Sequence, residues 1–392
     1  MRAGAVPRPQ RSEVPAPSLN ENASTRDGAG TMEGIQEAVD ATINDSVKNF
    51  VFDLHDATRR SHIQTDIDQL YRETFPELTD KYYSDKSPWP SAEAIASECD
   101  PSDELFLSLY REMTFRHLMS RGRPQLQDHL SAWTNYCRLF DIIIAAEDRE
   151  LCLNSHWAFE IIAEFVYQFQ GFCQFRTDLS RRDEEEIEVL QANPEVWAAP
   201  TVISYLRRLI SSSNVKEVLR LQKAAGQTST TINFAEAPTP SKAHFSLGYF
   251  AVFGLSRLEC LLGDYHGCLQ TLEAIDIHSE NEIYNTVFSC YLNLYYHLGL
   301  SFLMMRRYKD AIRTFSHIVA DIYRLTKSGR LSHIVGGDQA PKTNDRICAL
   351  LVLAVNLTPG CPVDEVVAAT MKDKYNEKIQ KVRCPPGRKT LA

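Results

Sequence analysis

Apolar residues recur at three- and four-residue spacing along most of the chain, the period of a helix with one buried face. Val47, Phe50, Val51 and Leu54 mark the first such face, beginning near Ser46, and Ile63, Ile67, Leu70 and Tyr71 continue it. Pro76 and then Pro88-Trp89-Pro90 punctuate the pattern, and the Trp89 indole is expected to dock and fix a turn between helices. Asp103 to Leu118 predicts a helix with Leu105, Leu109, Met113 and His117 on one face and Ser102 as its N-cap. Leu126 to Ala146 predicts another, ending in Ile142-Ile143-Ile144. Trp157, Ile161, Phe165, Phe169 and Phe172 form an aromatic stripe wide enough to require other helices against it. Ser180 to Asp183 resembles a capping box with Ser180 as the cap. Glu184, Glu185 and Glu186 then fall in a first turn, where the helix dipole favours acids. This acid run reads first as a solvated helix start and second as a docking site for a basic partner.

Breaks in the periodicity divide the chain. Residues 1–44 are rich in Pro and Gly and poor in aliphatics, so a disordered tail is expected. Residues 45–223 form an N-terminal helical region and 224–243 a linker of Gly, Thr, Ser and Pro. Residues 244–382 form a second helical region, and 383–392 a short divergent tail. Within the second region, Ser328 to Asn344 reads as a loop and Ile347 to Leu357 as a short helix. Asp364 to Val382 reads as one more, with Val366, Val367 and Met371 inward.

The second region contains a repeat. Leu255, Leu258, Leu261-Leu262, Tyr265, Cys268-Leu269, Leu272 and Ile275 recur, 43 residues on, as Leu298, Ser301, Met304-Met305, Tyr308, Ala311-Ile312, Phe315 and Ile318. The pattern has a mechanical reading. A helix ends in a polar turn, Gly263-Asp264 or Arg306-Arg307, and a tyrosine opens the next helix and packs back across it. A small residue, Cys268 or Ala311, lets the two helices approach closely. The packing residues are therefore expected to be Leu262, Tyr265, Cys268, Met305, Tyr308 and Ala311, in the antiparallel helix pairs of a tetratricopeptide-like array. The fold class is all-α, a right-handed helical-repeat array. Such arrays bind peptides or neighbouring subunits.

Composition narrows the function. A net charge of -9 argues against nucleic acid as the dominant partner. Ten scattered cysteines with no C-x-x-C pair, in a chain without a signal-peptide core, read as reduced and mostly buried thiols. Thr286 to Met305 carries no Asp, Glu, Lys or Arg, yet its Ser, Asn, His and Gly residues make it a buried helix of the array rather than a membrane span. No phosphate-binding or dinucleotide-binding glycine pattern occurs, and the eleven histidines stand singly without metal spacing. His297, alone on an apolar helix, is expected to be a hydrogen-bonded core residue. Cys173 with a distant histidine is a possible nucleophile pair, and it lacks any local signature. No enzyme activity, cofactor or metal is expected. Arg306, Arg307, Lys309 and Arg313 form a basic turn and helix face, a possible interaction surface. Three readings stay open for it: ribosomal RNA phosphates, acids of a neighbouring subunit, or plain solvation. The basic stretch from Lys372 to Lys389 lacks the aromatic interleaving of a single-strand binder.

Several longer strings carry a family resemblance. They include Val47-Lys48-Asn49-Phe50, Pro88-Trp89-Pro90-Ser91-Ala92-Glu93-Ala94-Ile95-Ala96 and Glu164-Phe165-Val166-Tyr167-Gln168-Phe169-Gln170. Leu261-Leu262-Gly263-Asp264-Tyr265 and Leu303-Met304-Met305-Arg306-Arg307-Tyr308-Lys309-Asp310-Ala311-Ile312 are two more. In order and spacing, from about residue 47 to 382, the chain resembles the L-subunit family of eukaryotic translation initiation factor 3. The resemblance implies a helical-repeat arm leading into a PCI module, here incomplete, since the family continues into a winged helix where this chain runs Arg383 to Ala392. A truncated, alternatively spliced or mispredicted product is the expectation. The resemblance further implies a cytoplasmic, non-catalytic scaffold whose partners are the other subunits of the factor, PCI subunits above all. Through the complex it implies the small ribosomal subunit, with no membrane. The alternatives are a subunit-binding repeat of another PCI assembly, of proteasome-lid or signalosome type, a free peptide-binding repeat, or a non-functional isoform.

Overall fold

The helical periods of the sequence become helices, and among the described residues there are no strands. The computed structural model describes residues 43–372 together with 36, 39 and 40. Within that span it omits 60–63, 84–87, 98–102, 122–123, 146–150, 235, 278, 280, 366 and 370. The divergent tail 383–392 and most of the expected N-terminal tail lie outside the described residues, as do Ser102, Val366 and Val382.

Helix α1, Asp45–Arg59, buries Val47, Phe50, Val51 and Leu54, the face that the spacing predicts. Helix α2, Gln64–Gln69, runs through a π-helical turn, Leu70–Thr74, into α3, Phe75–Tyr82. Pro76 thus opens a helix rather than ending one. The N–H that proline lacks falls just after a turn where the ordinary ladder is already interrupted. Trp89 docks as expected: it is 3% exposed, donates to Thr79 Oγ1 at 3.2 Å and stacks on Phe75 at 4.9 Å. Gln36, Val39 and Asp40 are helical, and Asp40 accepts from the backbone N and hydroxyl of Ser91 at 2.8 and 2.7 Å. A polar anchor thus ties Asp40 to the Pro-Trp-Pro corner. Ser91 caps the short α4, Ala92–Ile95.

Helix α5, Glu104–Arg121, starts one residue later than expected, with Asp103 as its cap, accepting from Phe106 N at 3.0 Å. Its residue Glu112 is fully buried, pairs with Arg116 at 2.6 Å, and accepts from the Tyr136 hydroxyl at 3.2 Å. Arg116 also reaches Glu160 and Tyr71, so one buried network joins the π-helical turn, α5, α6 (Leu126–Ala145) and α7 (Ser155–Thr177). Asn154 caps α7 by accepting from Trp157 N at 2.7 Å. The aromatic stripe on α7 is buried, with Trp133 and Trp197 closing on Phe165. The cap of α8, Glu184–Ala192, is Asp183 and not Ser180: Asp183 accepts from Glu186 N at 2.7 Å, while Ser180 lies in a preceding 3-10 turn. Both side chains can cap, but the backbone returns to extended geometry at Arg182 and Asp183 and enters the α-helix only after Asp183.

Two further helices, α9 (Ala199–Ser212) and α10 (Val215–Ala224), complete the first section. The stretch 224–243 is the connection to α11, Lys242–Leu261. That helix is buried on nearly all sides. Phe250 meets Phe159 of α7 at 5.5 Å, Gly254 lies against Ile162 of α7, and Gly248 lies against Ser213 at the end of α9. One apolar core therefore runs through both sections.

After α11 come α12 (Tyr265–Thr271, extended by a 3-10 turn to Ala274), α13 (Ile283–Thr286), α14 (Phe288–Met304) and α15 (Tyr308–Lys327). The uncharged stretch forms the buried α14, and no helix among the described residues is long and apolar enough to cross a membrane. His297 is 7% exposed and hydrogen-bonded to the Asn293 carbonyl at 2.8 Å. The expected loop at 328–344 ends earlier, because α16 spans Ala340–Leu357 with Pro341 in its first turn. Val367 and Met371, from the last expected helix, are buried.

Candidate functional site

The two copies of the repeat close with the same backbone turn. After α11, Asp264 N donates to Glu259 O at 2.9 Å and Gly263 N to Cys260 O at 3.2 Å. After α14, Arg307 N donates to Phe302 O at 2.8 Å and Arg306 N to Leu303 O at 3.0 Å. These paired bonds need a left-handed residue, which is Gly263 (φ 86°) in one copy and Arg306 (φ 60°) in the other. Asp264 then caps α12 by accepting from Gly267 N at 2.8 Å. In the second copy Arg307 occupies that place, and its side chain has no acceptor to cap the helix.

The six repeat residues fall into three environments. Cys268 and Ala311 are fully buried. The Cys268 thiol lies 3.3 Å from the Ser256 hydroxyl and 3.2 Å from the Ser301 hydroxyl, so it links the first copy to the second. Tyr265, Met305 and Tyr308 are half-buried and keep part of their surface in water. Leu262 corrects the packing scheme: it is 49% exposed, beside Leu261 at 43%. With α12 only seven residues long, too little helix crosses the end of α11 to cover it.

The four basic residues do not form one patch. Arg307 bends over the Phe302 ring at 4.6 Å and bonds Asp310 at 2.8 Å. Arg313 stands 3.9 Å from the other oxygen of Asp310, and Arg306 projects from the turn. Lys309 has no acidic partner within ion-pair distance among the described residues. Lys309 and Arg313 instead open onto a groove of about 690 Å³ along α15, shared with Ser316, His317 and Arg324 and walled by residues 358–364. His317 and Arg324 are site residues that the sequence reading misses. The signal was present, since 309, 313 and 317 are spaced one turn apart and 324 lies two turns on. The far wall is a tertiary contact with no signature in the sequence.

Burial pushes the Cys173 thiol up, away from the nucleophilic thiolate form. The eight described cysteines are free. Among the described residues no three His, Cys, Asp or Glu side chains gather to hold a metal ion.

Comparison with known proteins places this architecture. Residues 128–389 match the family model described as RNA polymerase I-associated factor PAF67. The chain is 36% identical over 347 residues to a protein of Mycosarcoma maydis, covering 88% of this chain and 50% of the relative. It is 34% identical over 343 residues to one of Nematostella vectensis, covering 87% and 63%. It is 35% identical over 317 residues to one of Homo sapiens, covering 80% and 55%. All three relatives are named eukaryotic translation initiation factor 3 subunit L. The chain spans between 50% and 63% of their lengths. A family match over more than half of the residues, together with these identities, places the chain in the family of eukaryotic translation initiation factor 3 subunit L, the one described as PAF67.

Proposed function

We propose that this chain is a non-catalytic scaffold subunit of eukaryotic translation initiation factor 3, supporting pre-initiation complex assembly on the small ribosomal subunit. The observation that carries the reading is the similarity to subunit L over 80–88% of the chain. The architecture supports it: stacked helix pairs expose long faces and turn edges, which suit contact with neighbouring subunits. In this reading the partners are the other subunits of the factor, PCI subunits first among them, and the small ribosomal subunit is reached through the complex. The work is done in the cytoplasm, without cofactor and without catalysis. The half-exposed Leu261, Leu262 and Met304 at the repeat turns, beside Arg306 and Arg307, are candidate contact residues.

The test is affinity purification of the tagged chain from a eukaryotic lysate, with mass spectrometry of the co-purifying proteins. Recovery of the other subunits of the factor is the expected result. Their absence, with the isolated chain still helical by circular dichroism, would overturn the scaffold reading.

A further inference from the structure

Two buried thiols meet where the first copy of the repeat packs on the second. Cys260 stands in the last turn of α11 and Cys268 in the middle of α12, across the Gly263-Asp264 turn. Their partners place them side by side. Cys268 Sγ lies 3.3 Å from the hydroxyl of Ser256, one turn before Cys260 on α11, and 3.2 Å from the hydroxyl of Ser301 on α14. Cys260 Sγ lies 3.7 Å from the carbonyl oxygen of His297, one turn before Ser301. The two sulfurs therefore share the seam of α11, α12 and α14, and the Cys260 thiol acts there as a donor to Cys268. That bond first, and then the Ser256 and Ser301 hydroxyls, draw the Cys268 thiol down toward thiolate against the effect of burial. The same bond pushes the Cys260 thiol up.

We infer that Cys260 and Cys268 are a redox modification site, in which hydrogen peroxide joins the two sulfurs in a disulfide that clamps α12 to the end of α11. The roles follow from the arrangement: Cys268, held by three donors, attacks, and Cys260, beside it, resolves. The Cys268 thiolate forms a bond to one peroxide oxygen as the O–O bond breaks. The leaving hydroxide takes up the proton that Cys268 gave up and departs as water. Cys260 then attacks the sulfenic sulfur of Cys268, the S–S bond forms and the S–O bond breaks. The Cys260 proton goes to the leaving hydroxide, which departs as a second water. The two sulfurs together lose two electrons and the peroxide gains them, and a thiol reductant reverses the change. Hydrogen peroxide is little larger than water, and α12 is only seven residues long and leaves Leu262 uncovered, so a local opening of this short helix admits it. Cys137 and Cys173 are less buried, but burial pushes their thiols up, away from the reactive form. The inference does not rest on the scaffold reading.

The test treats the reduced full chain with hydrogen peroxide at neutral pH, blocks the remaining thiols by alkylation, and maps unreduced peptides by mass spectrometry. Cleavage before Asp264 separates the two cysteines, so a link appears as two joined peptides. The expected result is that link and the loss of two of the ten thiols on titration in urea, both reversed by dithiothreitol. Amide exchange in α12 is expected to slow in the oxidised chain. Cys260→Ser leaves the sulfenic acid of Cys268 without its resolving thiol, so dimedone is expected to label Cys268 in that variant and not in the parent. Cys268→Ser is expected to show neither link nor label, and Cys173→Ser to keep the link. Circular dichroism reports whether the variants fold, and the peptide map of the parent chain decides the inference without them. Absence of the link in the treated parent, or links to other cysteines in equal amount, would overturn it. Dimedone labelling of Cys260 in Cys268→Ser would overturn the assignment of roles, and unchanged exchange in α12 would overturn the clamp.

Discussion

His297 illustrates what a single residue contributes. Burial, and then the charge of Arg257, hold its imidazole down at about 4, despite the bond to the Asn293 carbonyl. His129 is also held at about 4, by burial and then by Arg182. In the unfolded chain both take up a proton near the ordinary value of 6.5. Between those values the unfolded state binds more protons, so stability falls as pH drops from about 6.5 toward about 4. His297 is expected to contribute a loss of roughly 3 kcal/mol across that window, and His129 a smaller loss of the same sign, because solvent screens it more. Urea unfolding at several pH values checks this: His297→Gln should show a shallower loss than the parent chain, and an unchanged slope sinks the assignment. The buried, bonded state of His297 was legible because its neighbours from Thr286 to Met305 carry no charge. The helix caps at Asp103 and Asp183 were not, because Ser102 and Ser180 offer the same chemistry and only the backbone path chooses between them.

Between elements, the packing of α14 on α15 turns on Gly299. A Cβ there would stand 2.3 Å from the Phe315 ring, and Phe315 is itself fully buried. Gly299→Ala is expected to cost about 1–3 kcal/mol, as overpacking does. Gly171, on α7, has open space where a Cβ would go, so Gly171→Ala is expected to stabilise by about 0.5–1 kcal/mol through helix propensity. Melting temperatures of the two variants should therefore move in opposite directions, and a shift of the same sign in both contradicts the packing described. The tyrosines of the repeat carry a related lesson. Their spacing correctly places them at the start of α12 and α15, yet Tyr265 and Tyr308 are only half-buried. Truncating either to Ala therefore removes less than the ~3–5 kcal/mol of a fully buried aromatic.

For the molecule as a whole, the decisive element is α11, which packs on α7 and α9 before the 224–243 connection and on α14 after it. Such sharing couples the two sections. All four tryptophans, Trp89, Trp133, Trp157 and Trp197, lie before that connection, so their fluorescence reports the first section, whereas far-ultraviolet circular dichroism reports every helix. The two signals are expected to change together on heating. A step in the dichroism without a fluorescence change would mean that the sections unfold apart. The sequence by itself determined the helical periods, the 43-residue repeat and its turns, the uncharged core helix and the basic character of the face of α15. All of these depend on residues within a few turns of one another, where spacing along the chain is spacing in space. Only the tertiary structure decided that α11 binds the two sections into one core, that Leu262 stays in water, and that 358–364 makes a groove of the basic face. Those outcomes depend on which distant segments meet, and an apolar or basic face does not name its partner.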